Sequence, residues 1–311
     1  MYSINVLVIT YNQHDVITRA LDSVLRQKEY GLNKIIICDD CSTDNNAEVI
    51  QRYVDSHQSL IELYVNEKNL GIFGNLNKII DLKGSADFYV FLSGDDSFCD
   101  GYFKTIQDVL SQEKISIKDK AVAVYSDWKM VDTRGVETVY RNDKVKDKRH
   151  NLMDYRLRGL IFERSVFLSS KLIHQFKPVD YSHGVPYAEL TYDSQTAKYA
   201  ENAYYVPYVA SIYYSGIGFS TKTYNKSYRE QYLFAHKALL ESQSWSSKNE
   251  NLIKAMIEKD NAILNRSVVS LLKYINYYLR SGSFRMGCSL RKFCHGVGSV
   301  LIKNIIQGKY S

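Results

Sequence analysis

The stretch Ile35-Ile36-Ile37-Cys38-Asp39-Asp40-Cys41-Ser42-Thr43-Asp44 passes in one step from an apolar run to a polar one. The apolar part reads as a buried strand and the polar part as the loop beyond its carboxyl end. The same transition recurs on either side. Val6-Leu7-Val8-Ile9 leads into Thr10-Tyr11-Asn12, Leu60 to Val65 into Asn66-Glu67-Lys68-Asn69-Leu70-Gly71, and Phe88 to Leu92 into Ser93-Gly94-Asp95-Asp96. Between the runs the apolar spacing changes to three and four residues. Ile17, Ala20, Leu21, Val24 and Leu25 predict a helix from Asp15 to Gln27. Further helices are predicted over Ala47–Ser56, Ile72–Leu82 and Gly101–Gln112, and a fifth strand over Ala121–Tyr125. Alternation of helices with fully apolar strands predicts a parallel sheet covered on both faces. Such sheets bind ligands in the crevice at the carboxyl ends of their strands, so the residues after each strand are the ones to read for chemistry.

With 311 residues, 45% hydrophobic and 24% charged, the chain has enough material for a sizeable core, which excludes wholesale disorder. Five scattered cysteines, Cys38, Cys41, Cys99, Cys288 and Cys294, do not make a disulfide scaffold and suit a reducing cytoplasm. The Cys38-x-x-Cys41 spacing lacks a second pair or a nearby histidine to complete a zinc set, and reads as two small buried thiols. The start of the chain has no basic segment before its apolar run, and no window approaches 18 apolar residues, so neither a signal peptide nor a membrane-spanning helix is expected. Beyond the fifth strand, Arg141 to His150 reads as a solvated charged loop, Asp193 to Ala200 as a helix and Pro207 to Tyr214 as a strand.

Two pairs of adjacent aspartates, Asp39-Asp40 and Asp95-Asp96, follow different strands and point to different tasks at one site. One pair can hold Mg²⁺ or Mn²⁺ while leaving coordination positions open for phosphate oxygens. The other can accept hydrogen bonds from a base or from ribose hydroxyls, and Tyr11 can stack on a nucleobase. Aspartates after strands also serve as turn and cap residues. Their joint occurrence at successive strand ends is what favours a site.

Ordered and spaced in this way, Val8-Ile9-Thr10-Tyr11-Asn12, Ile37 to Asp44, Asn69-Leu70-Gly71 and Phe91-Leu92-Ser93-Gly94-Asp95-Asp96 resemble the family 2 inverting glycosyltransferases of the GT-A fold, over roughly Ile4 to Lys222. The resemblance implies a Rossmann-like α/β domain with a mostly parallel central sheet over residues 1–225, while the helical pattern from Tyr228 onward and the basic, apolar-rich tail read as a helical C-terminal extension over 226–311. It implies a nucleotide-sugar site of Thr10, Tyr11, Asn12, Asp39, Asp40, Asn69, Gly71 and Asp95, in which Tyr11 stacks on uracil and Asp40 bonds the base. It implies metal binding, Mn²⁺ or Mg²⁺, by Asp95 and Asp96, with Ser93 standing where the family often has an aspartate. It also implies a catalytic base at a helix start, for which Asp193 is the candidate and Glu189 the rival; Tyr192 replaces the usual glutamate before it. Ile212 to Ser220 resembles the loop that closes over the diphosphate, with Ser220 or Lys222 in place of a histidine. His14, and Asp127 with Trp128, are weaker candidates for substrate contact.

Between Asn261 and Ser311 there is no acidic residue and there are eight basic ones, leaving −2 of the chain's +6 for residues 1–260. Valine, leucine, isoleucine, phenylalanine and tyrosine lie between these charges. Such a segment suits an amphipathic element on an anionic membrane surface, or a helical cap with a solvated basic face. No nucleic-acid-binding module accompanies the charge. The combined expectation is a cytoplasmic transferase, peripheral on the inner face of a bacterial cell membrane. It would move a sugar from a UDP-sugar to a lipid-diphosphate-linked saccharide in O-antigen or capsule assembly. A soluble or protein acceptor, and an inactive nucleotide-sugar-binding module, are the alternatives.

Overall fold

The computed structural model describes residues 1–112, 117, 120–146, 152–153, 164–179, 189–216, 230, 233–234, 236–237, 240–241, 245–265 and 267–281. Within 189–199 the side chains of 189–191, 193 and 194 are not among them. The chain divides into two compact units. The first comprises Met1–Leu152, Ile161–Tyr181 and Tyr187–Lys222; the second comprises Met153–Leu160, Ser182–Pro186 and Thr223–Ser311.

The first unit begins as the hydrophobic pattern dictates. β1 (Ile4–Thr10), β2 (Leu32–Asp39), β3 (Ile61–Val65) and β4 (Phe88–Ser93) alternate with α1 (Ile17–Leu25), α2 (Asn46–Ser56) and α3 (Gly71–Leu82). β5 (Ser97–Phe98) and α4 (Tyr102–Gln112) follow. The strands β3, β2, β1 and β4 lie side by side and parallel. Side chains alternate across each strand, so Val6, Val8, Ile35 and Ile37 face one way and Leu7 and Ile36 the other. The first set joins Ile17, Leu21 and Val24 of α1, Ile50 of α2 and Phe103, Ile106 and Leu110 of α4 in one buried core. Phe73, Ile79 and Ile80 of α3 are buried outside that cluster. Each large aliphatic side chain buried this fully contributes about 1.5–3 kcal/mol.

The second half of the sheet departs from simple alternation. β6 (Val122–Val131) runs ten residues, twice the expected fifth strand, and pairs antiparallel with β7 (Glu137–Tyr140) and β8 (Phe167–Ser169). It pairs parallel with β9 (Asn202–Tyr214). The full order is β3-β2-β1-β4-β8-β6-β9-β5, with β7 on β6. The long ladders are parallel, while the antiparallel pairings span two to four residues each.

Pro207 does not open β9 but sits inside it, where the register with β6 shifts between Ser126 and Trp128. A proline cannot donate to the ladder, so the irregularity accommodates it. Phe88, Phe98, Tyr102, Phe103 and Phe167 pack edge-on or tilted with ring centroids 5.2–5.9 Å apart, joining β4, β5, α4 and β8. The first unit also holds α5 (Ser170–Ile173) and α6 (Glu189–Tyr199). The charged stretch from Arg141 is not wholly solvated: Asp143–Lys146 forms a 3₁₀ turn. Buried Asn142 fastens that turn by donating to Asp127 Oδ1 and to the Ser126 carbonyl.

In the second unit, α7 (Ser247–Asn265) packs against α8 (Val268–Arg280). Ser267 caps α8 by accepting from the Ser270 N–H. Among the described residues, no helix is long and apolar enough to cross a membrane.

Candidate active site

The carboxyl ends of the four parallel strands are level. Thr10 lies beside Asp39, Asp39 beside Val65, and Ile9 beside Ser93. The ladder continues one residue further, because the N–H groups of Asp40, Asn66 and Gly94 donate to the carbonyls of Thr10, Asp39 and Ile9. The polar residues singled out after each strand therefore leave the sheet at one edge.

Asp39 is fully buried, and both its oxygens are used. Oδ1 accepts from the Ser42 N–H, and Oδ2 accepts from Ser42 Oγ at 2.7 Å and Asn46 Nδ2 at 2.6 Å. This carboxylate shapes the loop into α2. Asn46 also donates to Thr10 Oγ1, which in turn donates to Gln13. Asp40 is buried as well, and its Oδ1 accepts from Asn66 Nδ2 and from the Leu70 N–H. Asn66 further donates to Asn75, whose Nδ2 donates to the Cys38 carbonyl. This buried amide chain, which the sequence pattern did not single out, fixes the start of α3 against the end of β2. Asn69 accepts from the N–H of Gly71, which adopts φ +72°.

Tyr11 is 41% exposed, so its ring is open to a ligand. Asn12, at φ +52°, spends its side chain on Thr43 and takes Ser42 Oγ with its backbone N–H, tying the two loops together. His14 bonds Asp44 and lies beside Asp15, and the Asp44 bond raises its pKa. That is a loop-fastening role. Cys38 is buried, with its thiol pushed up to about 12 by burial, whereas Cys41 is half-exposed at φ +60° and not a buried thiol as expected. Its place in the turn, beyond the strand end, lifts it out of the core.

Gly94 lets the turn that carries the second aspartate pair pack against Thr10, Gln13 and Ile17. A Cβ there would lie 2.5 Å from Gln13 Oε1 and 2.9 Å from both Thr10 Oγ1 and Ile17 Cδ1. Asp95 and Asp96 follow, both buried. Burial raises the Asp95 pKa, with Arg164 and Arg19 pulling the other way. Asp96 Oδ2 accepts from Arg164 Nη1 at 3.0 Å. The Arg164 guanidinium lies 4.1 Å from the Tyr213 ring centre and 5.3 Å from that of Trp128. Trp128 stacks on Tyr140 at 4.2 Å and is a buried anchor, and Asp127 accepts from Tyr205 and Asn142.

Reading only strand carboxyl ends overlooks Arg164. It stands just before β8, which is antiparallel to β4 with Phe88 opposite Ser169 and Tyr89 opposite Leu168. Arg164 and Ser165 lie in the turn that precedes the strand, with Ser165 at φ +54°, and from there Arg164 meets Asp96.

Two hard carboxylates at a strand end fit Mg²⁺ or Mn²⁺, which keep several positions for water and phosphate oxygens. No group of three or more acidic, histidine or cysteine side chains is gathered for a metal among the described residues.

α6 starts at Glu189, so Asp193 lies one turn inside the helix and is not its cap. The side chains of Glu189 and Asp193 lie outside the described residues, as do Ser220 and Lys222. Tyr192, between them, is buried. It donates to Asn77 of α3, and Asn77 exchanges hydrogen bonds with the backbone of Val179. Phe176 stacks on Tyr192 at 5.7 Å. The helix that carries Asp193 is thus pinned to α3.

Residues 5–167 match the sequence profile of glycosyl transferase family 2. The chain belongs to glycosyl transferase family 2. Among its curated relatives, a processive diacylglycerol beta-glycosyltransferase of Mycoplasma pneumoniae is 31% identical over 116 residues, 37% of this chain and 33% of the relative. The UDP-Glc:alpha-D-GlcNAc-diphosphoundecaprenol beta-1,3-glucosyltransferase WfgD of Escherichia coli is 32% identical over 95 residues, 30% of this chain and 36% of that protein. The chain thus spans about a third of the length of these relatives. S. aureus TarS 1-349, solved in complex with UDP-GlcNAc, superposes with a TM-score of 0.62 over 99% of this chain and 93% of that one, at 14% identity. The likeness establishes the GT-A architecture expected from the sequence for this family 2 chain.

Proposed function

We propose that this family 2 chain is an inverting glycosyltransferase that moves a sugar from a UDP-sugar to a hydroxyl of a lipid-diphosphate-linked saccharide in bacterial surface-polysaccharide assembly. The observation that carries the reading is the convergence of Tyr11, Asp40, Asn69, Asp95 and Asp96 on one edge of the sheet, beyond strands whose ends are level. Tyr11 offers a ring for uracil and Asp40 an acceptor for the base N–H. Asp39, Thr10 and Asn12 hold the loops that present them. Asp193 takes the proton of the acceptor hydroxyl as that oxygen attacks the anomeric carbon from the face opposite the leaving UDP. Asp95 and Asp96 would hold a divalent cation, which would neutralise charge on the leaving diphosphate. The UDP-sugar part is supported by the UDP-GlcNAc complex of TarS, and the lipid-linked acceptor by the named activity of WfgD.

The experiment is a screen of UDP-sugars against undecaprenyl-diphosphate-sugar analogues, with Mn²⁺ and with EDTA, and assignment of the product linkage by NMR. The expected result is a β-linked product formed with Mn²⁺ and lost in EDTA. Full activity in EDTA removes the metal from the reading, and UDP binding without turnover on any acceptor favours a binding module.

A peripheral membrane position is supported by α8, where Val268, Val269, Leu272 and Leu279 are each more than half exposed. Lys273 and Arg280 lie on the same helix, and no acidic residue follows Asp260. Apolar side chains flanked by cations suit an anionic bilayer surface. In liposome flotation the full chain should move with phosphatidylglycerol-containing vesicles, and Leu272→Asp with Leu279→Asp should abolish this. Equal flotation of the variant removes α8 from the contact.

A further inference from the structure

Tyr213 and Tyr214 are neighbours on β9, so their rings lie on opposite faces of that strand. Each carries a guanidinium. Arg164 lies over Tyr213 at 4.1 Å, and Arg19, from α1, lies over Tyr214 at 3.5 Å. Both arginines reach the same acidic turn. Arg164 Nη1 donates to Asp96 Oδ2 at 3.0 Å, and Arg19 Nη2 donates to the backbone carbonyl of Asp95 at 2.5 Å. The Tyr214 N–H also donates to Asp96 Oδ1. Two guanidiniums therefore straddle Asp95–Asp96, fixed by stacking on adjacent rings of one strand.

Charge balance says what such a pair is for. Two carboxylates and two guanidiniums cancel. If the carboxylates alone faced a diphosphate, a single divalent ion would neutralise only them or it. With the arginines present, the same ion offsets the acidic turn against a ligand bearing two negative charges. A guanidinium presents its donors in a planar fork that matches phosphate oxygens, and stacking lowers the entropy lost on engaging them. A surface ion pair needs none of this arrangement.

We propose that Arg19 and Arg164 are donor-binding residues that grip the diphosphate of the nucleotide-sugar, one from each side of β9. This rests on the UDP-sugar reading above. The test measures UDP binding by calorimetry and uridine binding by ligand-observed NMR, at fixed Mn²⁺, on the full chain and on Arg19→Gln and Arg164→Gln. UDP affinity should fall about 10- to 100-fold in each variant, the loss expected when a charge-assisted hydrogen bond to phosphate is removed. Uridine, which lacks phosphate, should bind within about twofold of the wild type. Arg164→Lys retains the pairing charge for Asp96 but not the fork, and should still lose at least about fivefold in UDP affinity. Parallel loss of UDP and uridine binding would show a purely structural role and overturn the proposal. So would unchanged UDP binding in the variants. A wild-type chain that binds no UDP defeats the nucleotide-sugar reading itself, a result distinct from either.

Discussion

Asp193→Asn is expected to lower turnover by about 10²- to 10⁴-fold, the range contributed by a positioned general base. An amide of the same shape cannot take a proton from the acceptor hydroxyl. The Michaelis constant for the UDP-sugar should change by less than about threefold, because the proposed role involves the acceptor and not the donor. The acidic limb of the pH–rate profile, which reports deprotonation of the base, should vanish with it. Glu189 sits four residues earlier on α6, one turn away. Glu189→Gln is the matched control and should retain activity within about threefold. A collapse in Glu189→Gln with an active Asp193→Asn transfers the role to Glu189. Full activity in both variants removes general-base catalysis from this helix.

Asp39→Ala should act on stability. Asp39 is buried and accepts three hydrogen bonds, from the Ser42 N–H, Ser42 Oγ and Asn46 Nδ2. Removing the carboxylate relieves one buried charge but strands these donors, each at a cost of about 1–3 kcal/mol where it stays buried. Water can reach the half-exposed Ser42 but not the buried Asn46. The net expectation is about 3 kcal/mol, or a fall of roughly 6–12 °C in the apparent melting temperature. Asp40→Ala should melt closer to the wild type while losing UDP binding. Its carboxylate accepts from the Asn66 amide and the Leu70 N–H, and the Asn66 amide retains Asn75. A shift below about 3 °C for Asp39→Ala would place the loop's organisation elsewhere.

The contrast between these neighbouring aspartates marks the reach of sequence reading. The strand ends, their order and the aspartate pairs were legible because buried parallel strands are written as continuous apolar runs, each stopping where the chain turns polar. Which aspartate is consumed by the fold was not legible. That depends on Ser42 and Asn46 folding back on Asp39, a matter of loop geometry with no periodicity. The second half of the sheet was harder for a different reason. β8 has three residues and β5 two, too short to register as a pattern. Antiparallel insertion also brings a strand's beginning to the crevice, so Arg164 stands at an amino end, about which the pattern of strand carboxyl ends says nothing. Tyr192 departs from the family pattern, and its burial against α3 gives that departure a structural use. The role of Asp193 rests on family resemblance.

β8 lies between β4 and β6, so the two halves of the sheet meet through a strand that follows both of its neighbours in the chain. This has a consequence for synthesis. Domains assemble from the amino end as the chain is made. The β1–β4 half, with both aspartate pairs, can form once about a hundred residues have emerged. At that stage Asp95 and Asp96 lie beside Arg19 but still lack Arg164, and Phe88 and Phe103 lack Phe167. The arrival of residues 164–169 therefore closes the aromatic core and balances the acidic turn in one event. A nascent chain halted before residue 164 should show open apolar surface at β4 and an acidic turn short of one cation, and the same few residues end both conditions.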